Sequence, residues 1–477
     1  MPTQTRSPIH PDAVLAICCC SLLLVGMDVT IVNVALPAIQ HDLHARMSGL
    51  QWIFDAYTLV VASFLMFSGS MSDRFGRRRF FMIGLSIFCA GSLLCSLAHS
   101  INQLIAFRAL QGLGASMLNP VALAIIANVF RDPKARARAV GIWGAVAGIS
   151  LAIGPLIGGA LTQTIGWRSI FWINLPIGIT AILLAFKFIP ESKAPRARRF
   201  DPIGQTLVFL GLATLTYAVI EGPHNHWSSP TILALFATAA ASLVAFLLYE
   251  PRRSDPLVDL RFFRSIPFAA AAILGVLAFS CFAAFLFLNT LYLQQARGLS
   301  AFTTGLCTLP LAIAMFLCSL LSGRMVASHG PRPSVLLAGA GFLASALILT
   351  HLIPATPLLL LLLAYALFGT GLGMINPAIS NSAIAGMPLS QTGVAAAIAS
   401  TSRQVGAAMG VAVAGTVVSI SRSTGSNFSH ATHPIWYAMT ASGAAILITG
   451  WISTTPWALA TTKKVAALFP ANVPATP

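Results

Sequence analysis

Apolar runs long enough to cross a bilayer follow one another along almost the whole chain, and no other feature restricts its fold so severely. At ~1.5 Å per helical residue, about 20 apolar residues cover the ~30 Å hydrocarbon layer. Runs of this kind occupy residues 13–36, 50–70, 80–98, 101–129, 140–161 and 169–189, then 203–220 and 231–249, then 267–293, 301–326, 334–352, 357–380, 393–420 and 435–454. Fourteen spans leave room for little else in 477 residues. Only 8% of the residues are charged, against about a quarter in a soluble domain. The expected class is an all-α polytopic membrane protein, because only helices and closed barrels satisfy their backbone in lipid. The first run is too long for the apolar core of a cleaved leader and is expected to stay in the mature chain.

The basic residues test the number of spans. If the N-terminus is cytoplasmic, the inside loops and tails hold 22 Lys and Arg, and the outside loops hold four: Arg46, Arg168, Arg297 and Arg422. Such an asymmetry fixes an even number of spans and puts both termini in the cytoplasm. It also accounts for the net charge of +16 without nucleic acid, which is not an expected partner. All eight cysteines fall inside apolar runs, so neither a disulfide framework nor a metal centre is implied. His224 and His226 lack a third ligand, and no metal or other cofactor is expected.

An internal repeat groups the spans. Gly69 to Arg78 follows span two, and Gly323 to Arg332 follows span ten with Gly, Met, Gly and Arg in register, 254 residues later. Gly112 to Pro120 in span four matches Gly369 to Pro377 in span twelve at an offset of 257. Spans one to six therefore correspond to spans nine to fourteen. The resulting division is an N-terminal half (1–190), two inserted helices (191–262), a C-terminal half (263–454) and a cytoplasmic tail (455–477).

Within this apolar background the acids stand out. No Asp or Glu follows Asp259, and only Asp28 and Asp55 lie inside spans. An ionisable group at membrane depth is costly unless paired, protonated or hydrated, and is a functional candidate for that reason. Asp28 and Arg108 sit at similar depth, roughly 10–12 Å below the outer ends of spans one and four, so they can pair, and protonation of Asp28 would then free Arg108. The plainer reading is a static ion pair. Asp55 is nearer the outer end of span two, where a solvated acid is the plain alternative. Arg403 lies mid-span in a half without acids, as packing glue or as a substrate contact.

The aromatic run from Phe279 to Tyr292 in span nine puts Phe282, Phe285 and Asn289 on one helical face, suited to an apolar cavity or to ordinary packing. Span five carries Gly144, Gly148, Gly154, Gly158 and Gly159 with Pro155, a smooth face with a kink. Nothing resembles a phosphate-binding loop or a nucleophile constellation, so a hydrolase, an ATP-driven pump or another enzyme is disfavoured. A sensor or receptor would need a sizeable soluble domain, for which the chain has no room.

Taken together these motifs resemble the major facilitator superfamily, and within it the fourteen-span drug:proton antiporters. Asp28 to Pro37 is similar to that family's first-span signature, Gly69 to Arg79 to the loop signature, Arg108 to Gly114 to the span-four motif, and Gly148 to Gly159 to the antiporter motif of span five. Gly166 to Gly178 and Tyr292 to Ser300 also resemble this branch. Asp55, within Trp52 to Leu59, is similar to the quaternary-ammonium and methylenomycin-resistance exporters, although spans nine to fourteen lack the acid that some cation exporters carry.

The resemblance implies a proton-coupled efflux antiporter for small hydrophobic compounds, cationic or neutral, working by alternating access in the cell membrane, with substrate, protons and the bilayer as its partners and a monomer as the functional unit. A transporter of an endogenous metabolite on the same scaffold is the alternative. Asp28, Asp55 and Arg108 are expected to couple protons. Asn33, Tyr57 and Gln111 would line the substrate cavity from the first half; Phe282, Phe285, Asn289, Tyr292, Asn376 and Gln404 would do so from the second. Gly69, Asp73, Arg74, Gly76, Arg77 and Arg78 would clamp the inner gate, with Asp73 against the N-terminus of span thirteen near Thr392 and Gly393. Gly148, Gly154, Pro155, Gly158 and Gly159 would seal the outer gate.

Overall fold

The structure is a computed structural model that describes residues 10–193, 201–253, 256–385, 387, 392–423 and 428–468. Fourteen helices in it are long and apolar enough to cross a membrane: Pro11–Asp42, Met47–Phe75, Arg77–Ser96, Ile101–Val129, Arg138–Thr164, Ser169–Phe188, Pro202–Asn225, Pro230–Arg252, Ile266–Ala296, Ala301–His329, Pro331–Leu349, Leu358–Ile384, Val394–Ile420 and His430–Ser453. They correspond one for one to the fourteen apolar runs and are numbered here as spans one to fourteen.

Local chemistry sets many of their ends. Ser100, Asp132, Ser229 and Ser300 each accept a backbone N–H three residues on, which satisfies a donor that the first helical turn leaves orphaned. Proline follows directly at Pro133 and Pro230, where its missing N–H costs nothing. Some spans are interrupted: span six breaks at Ile173 between two helices, span nine ends in a π-helical turn over Tyr292–Ala296, and span ten opens with the short helix Ala301–Cys307. The chain after span fourteen is also helical over Pro456–Ala466, and Thr461 there accepts the backbone N–H of Ile266 at 3.0 Å. Part of the expected tail is thus an ordered segment docked at the start of span nine.

Spans one to six and nine to fourteen pack as two bundles, with large apolar side chains such as Leu183, Phe186 and Leu359 turned outward. The two faces of the molecule differ. One, the basic face, carries the start of span one and the Arg-rich loops. The hydrogen bonds joining the bundles gather toward the other. There Gln294 of span nine donates to the Val34 carbonyl (2.8 Å), Gln295 to Gln40 (2.8 Å) and Gln51 of span two to the Ala412 carbonyl of span thirteen (2.7 Å). Span five joins in from the side. A Cβ on Gly159 would lie 2.5 Å from the Ala301 carbonyl, and one on Gly148 3.1 Å from Phe316. Toward the basic face the same helix has open space around Gly141 and Gly144, as span ten has around Gly323.

The inserted pair has a definite place. Span seven lies against span two of the first half and span thirteen of the second; span eight is outermost, with Leu233, Leu243, Val244 and Leu248 exposed.

Candidate functional site

Asp28 lies in the middle of span one, wholly buried. Arg108 of span four, equally buried, donates through Nη1 to its Oδ2 at 2.6 Å. The other carboxylate oxygen, Oδ1, accepts from the Gln111 amide at 2.8 Å and from the Asn174 amide of span six at 3.2 Å. One cation and two neutral donors therefore hold the carboxylate. Arg108 is held in turn: Nη1 also donates to Gln111 Oε1 at 2.7 Å, Nε donates to the Ile53 carbonyl at 3.2 Å, and the guanidinium lies 4.3 Å from the centre of the Tyr57 ring. A second layer fixes Asn174, whose amide also reaches Ser92 Oγ at 3.0 Å while Ser92 donates to the Phe171 carbonyl at 2.9 Å.

Desolvating two charges is compensated only when the geometry is good and the remaining polar atoms are bonded. This site comes close, with Arg108 Nη2 and Asn174 Oδ1 left without partners among the described residues. Removing one member of such a pair costs about 3–5 kcal/mol because the other charge stays behind. When Asp28 is neutralised by a proton, Arg108 still has the Gln111 and Ile53 oxygens and the Tyr57 face.

Asp55 is in a different condition. It is fully buried, and neither oxygen has a hydrogen-bond partner among the described residues. The plain alternative, a solvated acid facing the surface near the end of span two, does not fit this burial. Gln51, one turn earlier on the same helical face, bonds to span thirteen, and that span, with span seven, covers the region from which water was expected.

The cavity residues divide. Tyr57 and Gln111 belong to the Asp28–Arg108 cluster and do not form an open wall. Asn33 is buried and its amide turns back to the Val29 carbonyl of its own helix. Phe285 is packed within the second half, its ring 4.5 Å from that of Phe368, 5.0 Å from Tyr365 and 6.4 Å from Trp436. Asn289 accepts from the Tyr365 hydroxyl, and buried Tyr292 donates to the Ile353 carbonyl at 2.7 Å. Phe285, Asn289 and Tyr292, expected along the cavity, share a face that here turns into the bundle, where spans twelve and fourteen supply aromatic partners to Phe285. Phe282 is almost buried beside Phe279. Asn376 and Gln404 remain partly exposed.

At the loop after span two, Asp73 pairs with Arg77 at 2.7 Å. Its expected contact near Thr392 and Gly393 concerns side chains outside the described residues. Gly76 has φ +114°, and a Cβ there would meet Glu191 Oε1 at 2.6 Å, so both the turn and the space require glycine. Glu191 accepts the backbone N–H groups of Arg78 (3.1 Å) and Arg79 (3.3 Å), capping span three. Arg74 is exposed and rests near the Phe75 ring, and Gly69 lies opposite Pro120. In span five, Gly154 and Gly158 face Thr30 and Ile31 of span one, while Gly159 and Pro155 face the start of span ten.

Asn174, Ser92 and Glu191 were missed by sequence reasoning. Asn174 lay within a motif read only as a resemblance; a lone amide inside an apolar span was the signal that could have found it.

A family model described as Major Facilitator Superfamily matches residues 18–411. The chain is 38% identical over 397 residues to the multidrug resistance protein Stp of Mycobacterium tuberculosis (strain CDC 1551 / Oshkosh), covering 83% of this chain and 74% of that protein. It is 34% identical over 441 residues to the methylenomycin A resistance protein of Bacillus subtilis (strain 168), covering 92% and 91%. Its fold is similar to the crystal structure of the human organic anion transporter MFSD10 (TETRAN), with a TM-score of 0.64 and 16% identity over 93% of this chain and 100% of that one.

Proposed function

The chain belongs to the major facilitator superfamily, and from that premise we propose that it is a proton-coupled antiporter that exports small hydrophobic compounds, cationic or neutral, from the cell. Relatives named for multidrug and methylenomycin resistance support the export of drugs. The observation that carries the coupling is the Asp28 carboxylate, buried at membrane depth and held by Arg108, Gln111 and Asn174. A group so placed exchanges a proton only when the surrounding helices move, which ties proton transfer to a conformational step.

The excess of basic loops supports cytoplasmic termini, so the basic face is the cytoplasmic one. The bundles then meet at the outer side, and the arrangement is the one that admits substrate from the cytoplasm. After the switch, Asp28 meets the outside and takes a proton. Arg108 is released to Gln111, the Ile53 carbonyl and Tyr57, and the return step carries the proton inward. Asp55 is the second proton site: it is fully buried among the described residues, and burying an ionised carboxylate costs far more than burying the neutral acid. Span five provides the surface on which the outer gate closes.

Asp28→Asn keeps the shape and removes the titration. In everted vesicles with an imposed pH gradient, we expect it to insert normally and lose at least about a hundredfold of proton-driven transport, the low end for a positioned proton-transfer group. Arg108→Ala should flatten the pH dependence of whatever transport remains. Full gradient-driven transport by Asp28→Asn would refute the assignment.

A further inference from the structure

Arg403 is a cation that the coupling scheme does not use. It lies within span thirteen, in a half of the chain where no Asp or Glu follows Asp259. Arg108, deep within span four, has Asp28 as its counter-charge. Arg403 forms no ion pair among the described residues. Its Nη1 reaches the Asn376 oxygen at 3.4 Å and Ser380 Oγ at 3.5 Å, both on span twelve, and its guanidinium lies 5.8 Å from the centre of the Phe279 ring on span nine. These are long, neutral contacts to one nitrogen of a group that offers five N–H donors. The side chain is partly exposed, as are Asn376 and the neighbouring Gln404, and Ser380 is exposed.

A guanidinium at membrane depth needs an anion or water, and its planar fork suits a carboxylate or sulfonate in bidentate geometry. Here the spans that converge on it supply hydroxyl, amide and aromatic groups but no acid. Phe279 stands edge-to-face with Phe282 at 6.2 Å, so an apolar aromatic surface adjoins the charge.

The geometry points to Arg403 as an anion subsite that takes the carboxylate or sulfonate of an amphiphilic aromatic substrate, with Asn376 and Ser380 as auxiliary hydrogen-bonding groups and Phe279 against the apolar part. This rests on the export reading and widens it, from cationic and neutral compounds to those that also carry an acidic group.

The test uses the purified full-length chain in nanodiscs and two probes: a xanthene dye with a free carboxylate, and the same dye as its methyl ester. Binding is read by fluorescence anisotropy without any gradient. The expected result is that the wild type prefers the acid, that Arg403→Gln weakens the acid roughly tenfold while leaving the ester unchanged, and that Arg403→Lys falls between them, a point charge replacing the fork. Unchanged ester binding also shows that the variant is folded. Equal binding of acid and ester by the wild type, or an equal loss of both in Arg403→Gln, overturns the subsite. A second arm compares nanodiscs of neutral lipid with nanodiscs containing phosphatidylglycerol. An acid preference that survives in both supports the subsite, whereas one abolished by the anionic lipid assigns Arg403 to lipid phosphate and overturns it. Vesicle transport separates the two readings: an acid preference without gradient-driven efflux removes only the export reading, and efflux with no acid preference removes only the subsite.

Discussion

Three donors on one carboxylate do different work. Arg108 supplies charge, Gln111 ties Arg108 and Asp28 together from the same helix, and Asn174 brings in span six, fixed from behind by Ser92. A hydrogen bond to a charged group is worth about 1.5–3 kcal/mol, and about 1.4 kcal/mol is a factor of ten in rate. We therefore predict that Asn174→Ala, which removes one donor from Asp28, lowers proton-driven transport about tenfold. Ser92→Ala, which only loosens Asn174, should lower it less. Transport in everted vesicles with an imposed pH gradient checks this; an unaltered rate in Asn174→Ala would show that its bond to Asp28 is dispensable. Depth alone made the Asp28–Arg108 pairing legible, because two charges in apolar helices have few alternatives. Gln111 was expected along the cavity and is found bonded to both members of the pair, since a sequence does not say which side of a helix faces a cavity and which faces a neighbour.

The two inserted helices form a strap over one seam between the halves, and span seven packs against both. Span seven meets span two through Trp52, whose Nε1 donates to Glu221 at 3.2 Å and whose ring lies 5.7 Å from that of Tyr217; through Phe64, 6.0 Å from Phe209; and through the Gln205 amide on the Ser63 carbonyl. Its hydrogen bond to span thirteen runs from Thr416 to the Val219 carbonyl at 2.8 Å. If the halves rock and these aromatic and polar side-chain pairs hold, span seven travels with the first half and slides along span thirteen. In a background without native cysteines, a short bifunctional cross-link between Phe64→Cys and Phe209→Cys should leave transport near that of the background. One between Val219→Cys and Thr416→Cys should abolish it until a cleavable linker is cut. Efflux before and after cleavage decides, and the reverse pattern would mean that the strap moves with the second half. That the insertion exists was legible from the repeat; that it bridges both halves was not, because nothing in an apolar helix of 24 residues names its neighbours.

At the scale of the whole molecule, the repeat hides a division of labour. The offset of 257 residues that relates span four to span twelve carries Asp28 onto Phe285, Arg108 onto Tyr365 and Gln111 onto Phe368. The second half thus holds a ring cluster where the first holds an ion pair. An ion pair whose charge can be removed by a proton has two states, whereas a packed aromatic cluster has one. The second half can therefore serve as a rigid counterpart to a titrating first half. Fourteen spans followed from length and hydropathy, which report on the bilayer. The relative tilt of the halves did not, because both tilts bury the same apolar residues. Polar contacts between the halves lie on the face opposite the basic one, and among them Gln40 and Gln295 touch through their amides at 2.8 Å. Gln40→Cys with Gln295→Cys, in the same cysteine-free background, should form a disulfide under mild oxidation and hold the outer gate shut. Transport should then fall at least about tenfold, recover on reduction, and leave dye binding from the basic face intact, because that tilt already presents the inner side. A cross-linked protein that still transports would show that the outer side does not open as the halves exchange tilts, and the rocking scheme would fail with it.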